Sequence, residues 1–572
     1  MIYIDENLLG YYIIEHITNL SILRTLYPNI QFQPVTDRIA IIYVPPSATY
    51  ELNALKNNGV AVFIPLIFGL NAQESLVGAN MQEVLSSANI SQLHTYPSNE
   101  LTGKNVLIGF VDTGIDYTNP LFKYEDNTSR IVSIWDQTIE GNPPINNNFI
   151  ANYGSVYSNA QINQALNSSD PLSVVPSVDT VGHGTYLAGV AAGKERSGTT
   201  NYTGGAPDSG LVIVKLRPAT ELLRAYYLVS PTVNAYQAND IMTGINYLLQ
   251  VAREKNMPIA ICLGVGCNLG AHNGLTIIER FLSEVCDLYN VILISSAGNE
   301  ASEAHHFSST ISVNELQSFE LNIADQETGL VFGLWATGAD KLSIGFTTPL
   351  GNSINKIPIQ LTNSQNFSFN LEKSKVSIRY QFPNLITGSE SIGIRLMDPL
   401  PGIWTFYVYG DVVISGDYNT WLPREGFIQP GTRFLSPDPY ITVCIPSTTQ
   451  KLLVVGAYNS FNDSLYAASG RGPTTNSVIK PDIIAPGVDV PGPNLYGGFT
   501  AQTGTSVAAA ITASASALLL EWAVVENNFN LINTNIARTI FIRGASRTTN
   551  GSYPNYIEGY GKLDLLKSIS LI

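Results

Sequence analysis

Two stretches of alternating apolar strands and helices, separated by a stretch with a different pattern, constrain the fold of this chain most. Between about residues 106 and 303, apolar runs at 106–111, 259–263 and 291–296 alternate with segments of helical periodicity, and the alternation resumes beyond Pro439. Alternation of this kind is typical of right-handed crossovers around a buried parallel sheet. We therefore predict an α/β domain whose sequence is interrupted.

The interrupting stretch, at about residues 305–438, has a different periodicity. Every second residue is apolar in short segments such as Phe319, Leu321 and Ile323, and an aromatic-rich run follows at 403–409, with Gly and Pro between the segments. Period-two alternation bounded by turn residues is typical of antiparallel strands. We predict an all-β insert, a jelly-roll-like sandwich with its own core and no catalytic residue.

The N-terminal region predicts a third, smaller unit. Strand-like runs at 38–44 and 60–65 flank a helical segment at 47–58, which is typical of a small α+β domain. Residues 86–102 are polar and irregular, as in a connector. The predicted domains are therefore 1–82, 83–304, 305–438 and 439–572, of which the second and fourth form one α/β domain.

Composition excludes several classes of partner. The 572-residue chain has 30 Lys and Arg against 45 Asp and Glu, and this net charge of −15 repels nucleic-acid phosphates. The longest apolar stretch, 507–520, is stopped by Glu521 short of the ~20 residues of a membrane span, so we expect a core helix there and no span. No Lys or Arg precedes Arg24, so we expect no secretory signal and a location in the cytoplasm of synthesis. Four Cys without Cys-x-x-Cys spacing predict reduced thiols and no zinc site.

Three short motifs far apart in the chain supply the groups of a nucleophilic catalyst. Asp112 ends an apolar run and precedes Thr-Gly, His183 lies between two glycines at the start of an Ala-rich stretch, and Ser506 follows Gly-Thr at the start of another. A serine hydroxyl is a weak nucleophile at neutral pH, so it needs a base that takes its proton and returns it to the leaving amine. A histidine suits both steps, and an aspartate holds the imidazole in the useful tautomer.

Each motif alone has a simpler interpretation, because Asp-Thr-Gly is common in turns and a Ser before a helix is a common N-cap. All three occur in the order Asp, His, Ser, each at the boundary of a predicted element, which favours a catalytic triad over coincidence. A fourth candidate is Asn299, which follows the apolar strand 291–294. Its side-chain amide can donate a hydrogen bond, so Asn299 is a candidate oxyanion donor beside the backbone N–H of Ser506.

These motifs resemble those of the subtilases, a family of serine proteases, and Asp112, His183, Asn299 and Ser506 match the family's triad and oxyanion Asn one by one. The resemblance implies a subtilisin-like α/β catalytic domain with a parallel sheet, preceded by an N-terminal α+β prodomain that acts as an intramolecular chaperone. It also implies an endopeptidase activity on a protein substrate. Since the mature chain of such proteases starts roughly 30 residues before the catalytic Asp, we expect self-cleavage around residues 81–83.

The same resemblance implies a substrate-binding backbone. Cys262-Leu263-Gly264 is similar to the family's Ser-Leu-Gly strand, which pairs with an extended peptide, and the segment before Asn299 is part of the same cleft. The predicted substrate-binding residues are Leu263, Gly264, Ala297 and Gly298.

Within the subtilases, the chain resembles the clostridial Csp group of spore-germination proteases. The features that carry this resemblance are the absence of a predicted signal, the β-rich insert, and the segments Gly402-Ile403-Trp404 and 517–522. The resemblance implies activation of a cortex-lytic enzyme zymogen during germination and packaging in the spore. The alternatives are a general degradative subtilase and, in another class, a pseudoprotease that serves as a binding or sensing scaffold.

The chain departs from the common family pattern at several positions around the motifs. Many members have a second His at Tyr186, and Met, Ser, Pro and His are usual at Val507, Ala509, Ala510 and Ile511. None of these side chains moves a proton, so they bear on packing. We expect no required cofactor and assign no metal ligand. Structural calcium stays open, because the acidic loop 124–127 lacks the Asp-x-Asp-x-Asp-Gly pattern.

Overall fold

A computed structural model describes residues 9–75, 80–95, 100–146, 149–196, 201–361, 364–549 and 551–572. Its N-terminal unit is an antiparallel sheet of order β2-β3-β1-β4 with two helices. The elements are β1 (Tyr11–Glu15), α1 (Leu20–Leu26), β2 (Gln31–Pro34), β3 (Ile39–Tyr43), α2 (Thr49–Asn57) and β4 (Ala61–Phe63). Ile14, Ile42 and Leu52 are fully buried between sheet and helices. The predicted helix and both predicted strands are present, and β1 is an additional central strand.

The chain then leaves this unit and crosses the α/β domain. It forms β5 (Ile67–Leu70), β6 (Gln73–Ser75) and α3 (Met81–Ser87). The described parts of the expected polar connector at 86–102, residues 86–95 and 100–102, are packed, because Ile90, Leu93 and Leu101 are buried in the core of the α/β domain. The apolar residues among the polar ones anchor this segment.

The first part of the α/β domain contains most of its strands and helices. They are β7 (Leu107–Asp112), β8 (Ile131–Asp136), β9 (Ile145–Asn146), β10 (Phe149–Ile150), β11 (Ser155–Ser158), α4 (Asn159–Leu166), α5 (His183–Ala192), β12 (Gly210–Lys215), α6 (Glu221–Tyr227), β13 (Tyr236–Gln237), α7 (Ala238–Lys255), β14 (Ile259–Leu263), β15 (Val265–Gly266), α8 (Ile277–Val285) and β16 (Val291–Ser296).

The insert is an all-β unit of two antiparallel sheets. Its strands are β17 (His306–Thr310), β18 (Leu316–Ile323), β19 (Gly329–Ala336), β20 (Lys341–Thr347), β21 (Ser353–Ile354), β22 (Gln365–Ser368), β23 (Lys375–Gln381), β24 (Glu390–Met397), β25 (Gly402–Val412), β26 (Asp417–Trp421) and β27 (Arg433–Phe434). The sheet orders are β17-β26-β19-β24-β23-β22 and β21-β20-β25-β18-β27. Phe332 and Phe406, from opposite sheets, meet edge to face with centroids 5.6 Å apart in a shared core. The inserted β domain is confirmed, while its jelly-roll topology stays a prediction.

The second part of the α/β domain completes the sheet and adds its central helix. Its elements are β28 (Leu453–Tyr458), β29 (Ile483–Pro486), β30 (Val490–Pro493), β31 (Phe499–Thr503), α9 (Thr505–Leu520), α10 (Thr534–Gly544) and α11 (Leu565–Ser570). A π-helical turn, Glu521–Val525, continues α9. Short 3₁₀ turns occur at Pro46–Ala48, Leu93–Thr95, Pro120–Phe122 and Pro171–Ser173.

The catalytic sheet has eight strands in the order β11-β8-β12-β7-β14-β16-β28-β29, and all neighbours except β11 and β8 are parallel. Alternate residues of a strand face opposite sides, so Ile108 and Phe110 pack with α5 and α9 while Leu107 and Val111 pack with α7 and α8. Asp112 therefore emerges at the carboxyl edge of a sheet that is buried on both faces. This subtilisin-like α/β architecture with an inserted β domain is the predicted fold class.

The central helix α9 and its π-helical continuation form a long apolar segment. The run Thr505–Val525 is long and apolar enough to cross a membrane, but 89% of its apolar window is buried inside the molecule. Its small side chains let the helix pack closely against β14, β16 and β28.

Candidate active site

The fold brings the three predicted catalytic side chains into one hydrogen-bonded chain. His183 Nδ1 lies 2.8 Å from Asp112 Oδ1, and His183 Nε2 lies 3.0 Å from Ser506 Oγ. All three residues are buried, with relative exposures of 1%, 4% and 0%. In this arrangement a neutral His183 with its proton on Nδ1 donates to Asp112 and accepts the Ser506 proton at Nε2, which is the geometry of a base beside a nucleophile.

The histidine is positioned by the first turn of α5. Asp179 caps this turn, because its carboxylate accepts from the backbone N–H groups of Gly182 (2.8 Å) and Thr185 (3.0 Å). A Cβ at Gly184 would lie 3.1 Å from the backbone N of Gly114 and closer still to its carbonyl oxygen. The glycine after His183 is therefore needed so that the helix start can approach the Asp112 loop.

The serine is the second residue of α9, so its backbone N–H belongs to the unpaired first turn of a helix. Thr505, the first residue, orients Asn299: its N–H and its hydroxyl lie 3.1 and 2.9 Å from Asn299 Oδ1. The Thr505 hydroxyl also accepts from the Gly298 N–H at 3.0 Å. The Asn299 side chain is thereby held with its NH₂ group directed at the nucleophile.

A segment of the chain itself occupies the cleft. β5 lies between β13 and β15 in a three-stranded antiparallel sheet, with Phe68 opposite Tyr236 and Leu70 opposite Val265. The Asn71 N–H donates to the Gly264 carbonyl at 3.0 Å, which extends the pairing by one residue. Addition of a peptide strand between two strands of the protein is a common mode of peptide recognition.

The Asn71 carbonyl group lies at the nucleophile. Its oxygen accepts from Asn299 Nδ2 at 2.8 Å and from the Ser506 N–H at 3.3 Å, and Ser506 Oγ is 3.0 Å away. Two N–H donors on a carbonyl oxygen beside a nucleophilic hydroxyl are what acyl transfer requires. The bond presented to Ser506 is the one between Asn71 and Ala72.

The expected cleavage window at residues 81–83 lies apart from this bond. Residues 81–83 do not lie in the cleft but form the first turn of α3, where Met81 is buried in the core of the α/β domain. The segment between the cleft and Asp112 thus contains a packed helix at the position where the distance to the catalytic Asp places the cut. The boundary at residue 82 stays a prediction.

The Asn71 side chain enters a small polar pocket. It is fully buried, and its Nδ2 donates to Ser296 Oγ at 2.8 Å. A Cβ at Gly266 would lie 2.8 Å from Nδ2 and 2.9 Å from Oδ1 of Asn71, and 3.1 Å from Cys444 Cβ. The pocket is therefore shaped for a short side chain that hydrogen-bonds.

The four predicted substrate-binding residues have different places in this cleft. Gly264 contacts the peptide backbone, and a Cβ there would lie 2.9 Å from the His183 ring and 3.2 Å from Ser506 Cβ. Leu263 ends β14, and its carbonyl lies 3.4 Å from Ser296 Oγ. Ala297 and Gly298 form the turn into Asn299. A Cβ at Gly298 would clash with Cys444.

Sequence analysis missed several residues of the site because no motif marks them. They are Asn71, Ser296, Gly266, Tyr236, Gln237, Arg424 and Glu425. Ser296 was adjacent to the Ala-Gly-Asn motif and could have been found by its period-two position on β16. The others reach the cleft through long-range folding.

The environment near the nucleophile keeps nearby thiols neutral. Burial raises the pKa of the Cys444 thiol, and likewise of Cys262, well above the ordinary value. Both cysteines are buried and form no disulfide, and a raised thiol pKa disfavours the nucleophilic thiolate at neutral pH. Among the described residues, no three His, Cys, Asp or Glu side chains form a group that could hold a metal ion.

Comparison with known proteins agrees with this geometry. The model of the subtilase family matches residues 103–326 and 438–561, which include both parts of the α/β domain and the first two strands of the insert. The structure of the Clostridium perfringens CspB protease is similar with a TM-score of 0.75 and 30% identity, over 86% of this chain and 97% of that one.

Two curated relatives match shorter segments. The mouse membrane-bound transcription factor site-1 protease is 32% identical over 139 residues, which are 23% of this chain and 13% of that protein. The serine protease AprX of Bacillus subtilis is 33% identical over 100 residues, 14% of this chain and 23% of that protein. These matches span a minor part of either relative, whereas the family model covers most of this chain: the protein belongs to the subtilase family of serine proteases.

Proposed function

We propose that the protein is an active serine endopeptidase, with Ser506 as nucleophile, His183 as general base and acid, Asp112 as the group that orients His183, and Asn299 as oxyanion donor. The observation that carries the proposal is the Asn71 carbonyl, which is held by Asn299 and the Ser506 N–H beside Ser506 Oγ.

The reaction begins on the chain's own Asn71–Ala72 bond. His183 Nε2 takes the Ser506 proton as Oγ attacks the Asn71 carbonyl carbon, and the negative charge develops on an oxygen that already accepts two N–H groups. His183 then donates the proton to the Ala72 nitrogen, which leaves Asn71 as an acyl group on Ser506. Water, deprotonated by His183, hydrolyses this ester and frees the serine.

Mass measurement of the full chain tests this step. We expect wild type to yield fragments that end at Asn71 and begin at Ala72, whereas Ser506→Ala and His183→Ala stay intact. Ser514→Ala is a matched control, because Ser514 is a buried serine of the same helix whose hydroxyl bonds only its own helix at Ile511. An intact wild-type chain, or a Ser506→Ala chain that is still cut, would contradict the proposal.

Labelling separates the alternatives. A fluorophosphonate that labels wild type but not Ser506→Ala distinguishes an active protease from a pseudoprotease scaffold. Rapid digestion of unfolded casein after removal of the N-terminal unit would favour a general degradative protease. We further propose that no metal is required. This part would fail if EDTA abolished the labelling.

We also propose that the natural substrate is a cortex-lytic enzyme zymogen and that the protein acts in spore germination, packaged in the spore. The support is the resemblance to the Csp group and the similarity to the CspB protease over nearly its whole length. The test is incubation of the zymogen from the same organism with wild type and with Ser506→Ala, read as cleavage at one defined bond. Absence of that cleavage would overturn this part alone.

A further inference from the structure

The insert contributes two side chains to the cleft, on opposite sides of the Asn71–Ala72 bond. On the amino side, Arg424 covers Gly69, two residues before Asn71. A Cβ at Gly69 would lie 3.0 Å from Arg424 Cζ and 3.1 Å from Cδ, and closer still to Nη1. Gly69 lies in the extended strand β5, outside the left-handed region, so its backbone does not require glycine. A side chain at position 69 would instead overlap Arg424, and this accounts for the glycine.

On the carboxyl side of the Asn71–Ala72 bond, the residue after Arg424, Glu425, makes a polar contact with the chain in the cleft. Gln73, two residues after Asn71, donates from Nε2 to Glu425 Oε2 at 2.7 Å. Gln73 is also the first residue of β6, which pairs with β31 of the α/β domain. The α/β domain thus holds the backbone on this side, and the insert contacts the side chain.

These two side chains belong to a fixed segment, residues 422–428, which we call the insert arm. The buried Glu300 carboxylate accepts from the Glu425 N–H at 3.1 Å and lies 4.0 Å from Arg424 Nε. His305 and Asn268 bond the same carboxylate at 2.8 and 2.9 Å. Arg424 itself is only 7% exposed, so it cannot swing into solvent without leaving this network.

The negative charge of Glu300, the carboxylate that the insert arm contacts, is favoured by its neighbours. Burial alone would raise the pKa of Glu300, but the hydrogen bond and charge of His305, the charge of Arg424 and the Glu425 N–H together lower it. The Glu300 carboxylate lies near Arg424 but makes no direct hydrogen bond to its Nε, so Arg424 is kept over Gly69 mainly by burial of its side chain. The far end of the arm is fixed as well, because Phe427 is buried in the core that the N-terminal unit shares with the α/β domain.

We propose that the insert arm is a specificity element of the protease. Arg424 selects peptides that have glycine two residues before the residue whose carbonyl is attacked. Glu425 favours peptides that have a hydrogen-bond donor side chain two residues after that same residue. This inference rests on the proposed cleavage after Asn71. It gives the insert, which contributes no group to the triad, a direct contact with substrate.

The test is the rate of self-cleavage of the full chain, followed by mass after cell-free synthesis. Gly69→Ala and Gly69→Leu are expected to slow cleavage roughly 10- to 100-fold, because the peptide is displaced from the nucleophile. Combining Gly69→Leu with Arg424→Ala is expected to restore the rate to that of Arg424→Ala alone. Arg433→Ala is the matched control: Arg433 is an exposed arginine of the same insert on β27, and its removal should not rescue Gly69→Leu.

The second contact is tested by a double-variant cycle. Gln73→Ala and Glu425→Ala are each expected to slow cleavage about 2- to 5-fold, and the double variant no further than either one. Thermal midpoints measured in the Ser506→Ala background show whether each variant folds. For any variant that does not fold, the comparison is repeated in trans with peptides of residues 67–75 that have Gly, Ala or Leu at position 69, offered to the cleaved protein after removal of its N-terminal fragment.

The outcomes separate this inference from the function on which it rests. If wild type is not cut after Asn71, the specificity inference and the proposed self-cleavage are both wrong. If wild type is cut there but Gly69→Leu is cut equally fast, or Arg424→Ala does not relieve the defect in the chain or in the peptides, the insert arm is not a specificity element and the protease assignment stands.

Discussion

At the scale of single residues, one threonine sets the direction of the oxyanion donor. Asn299 can turn its amide either way about its terminal bond, and only one orientation directs Nδ2 at the Asn71 oxygen. Thr505 fixes it by donating twice to Asn299 Oδ1. The Thr505 side chain is therefore a positioning group that acts through Asn299 without contact to the attacked carbonyl.

Substitution at these two positions should give graded losses. Asn299→Ala removes a donor to the developing charge, and we expect the cleavage rate to fall by ~10²–10³, the size of this effect in subtilisin itself. Thr505→Val removes the hydroxyl donor to Asn299 Oδ1 but keeps the backbone N–H donor, so the amide is held less firmly and a loss of about 10-fold is expected. The measurement is the rate of self-cleavage of the full chain, followed by mass. Thr512→Val, which removes a hydroxyl bonded to the Ala508 carbonyl of the same helix, should leave that rate unchanged.

Gly266 should control which side chain is accepted before the cleaved bond. Gly266→Ala places a methyl group on the Asn71 amide, so we expect self-cleavage to slow by ~10²-fold. Asn71→Ala in the same chain should recover most of the rate, because it vacates that space. Equal slowing of the single and double variants would show that Gly266 is needed for backbone reasons only.

The residues of the site differ in how far sequence alone could predict them. Asp112, His183, Asn299 and Ser506 were found because each carries its chemistry in a short motif and their chain order is informative. Asn71 and Arg424 were not found, because the role of each depends on a long-range contact. The Asn71 carbonyl reaches the cleft from the N-terminal unit, and Arg424 contacts Gly69, which is 355 positions earlier in the chain (424 − 69). No local sequence pattern encodes a contact between residues so far apart in the chain.

At the scale of elements, period and composition predicted the regular parts closely. The strands Ile259–Leu263 and Val291–Ser296 have the predicted bounds. Buried parallel strands are continuous apolar runs, which makes their ends sharp in sequence. The helix Met81–Ser87 was missed because it buries only three side chains and its exposed face is polar.

One insert strand contains a buried acid that makes stability depend on pH. Glu390 begins β24 and is fully buried, and this burial raises its pKa to about 8, despite one bond from the Leu342 N–H. The folded chain therefore keeps a proton that the unfolded chain loses. Stability from this group is fully present below about pH 4.5 and is lost as pH rises through about 8.

Glu390→Gln should remove that dependence. We expect the variant to gain stability relative to wild type as pH rises from 5 to 8, by at most about 3 to 5 kcal/mol, because the amide is neutral throughout. The measurement is the difference in thermal midpoint between the two chains at each pH, both in the Ser506→Ala background. Parallel curves for the two chains would show that Glu390 does not titrate in this range.

At the scale of the whole molecule, the N-terminal unit is bound by more than its strand in the cleft. Ile13 and Phe63 of its sheet share a core with α7 and α8. Polar contacts surround this core: Arg280 pairs with Glu15 at 2.9 Å, and Asn246 donates to the Val35 carbonyl at 2.8 Å. Cutting one bond after Asn71 removes none of these contacts.

We therefore expect the cleaved N-terminal fragment to stay bound and to occlude the cleft. Wild type cut after Asn71 should elute as a single species that contains both fragments, with little activity on added peptide. Arg280→Ala combined with Asn246→Ala removes two peripheral contacts, each worth ~1 kcal/mol, so the fragment should dissociate roughly 10- to 100-fold more readily. Size-exclusion chromatography across a dilution series, with peptide hydrolysis in each fraction, measures both effects.

Lys451→Ala, which removes a surface ion pair with Asp287 in the α/β domain, is the matched control and should leave dissociation unchanged. Separation of the wild-type fragments at micromolar concentration would contradict this expectation, because the buried core between the two units would then contribute too little to hold them together.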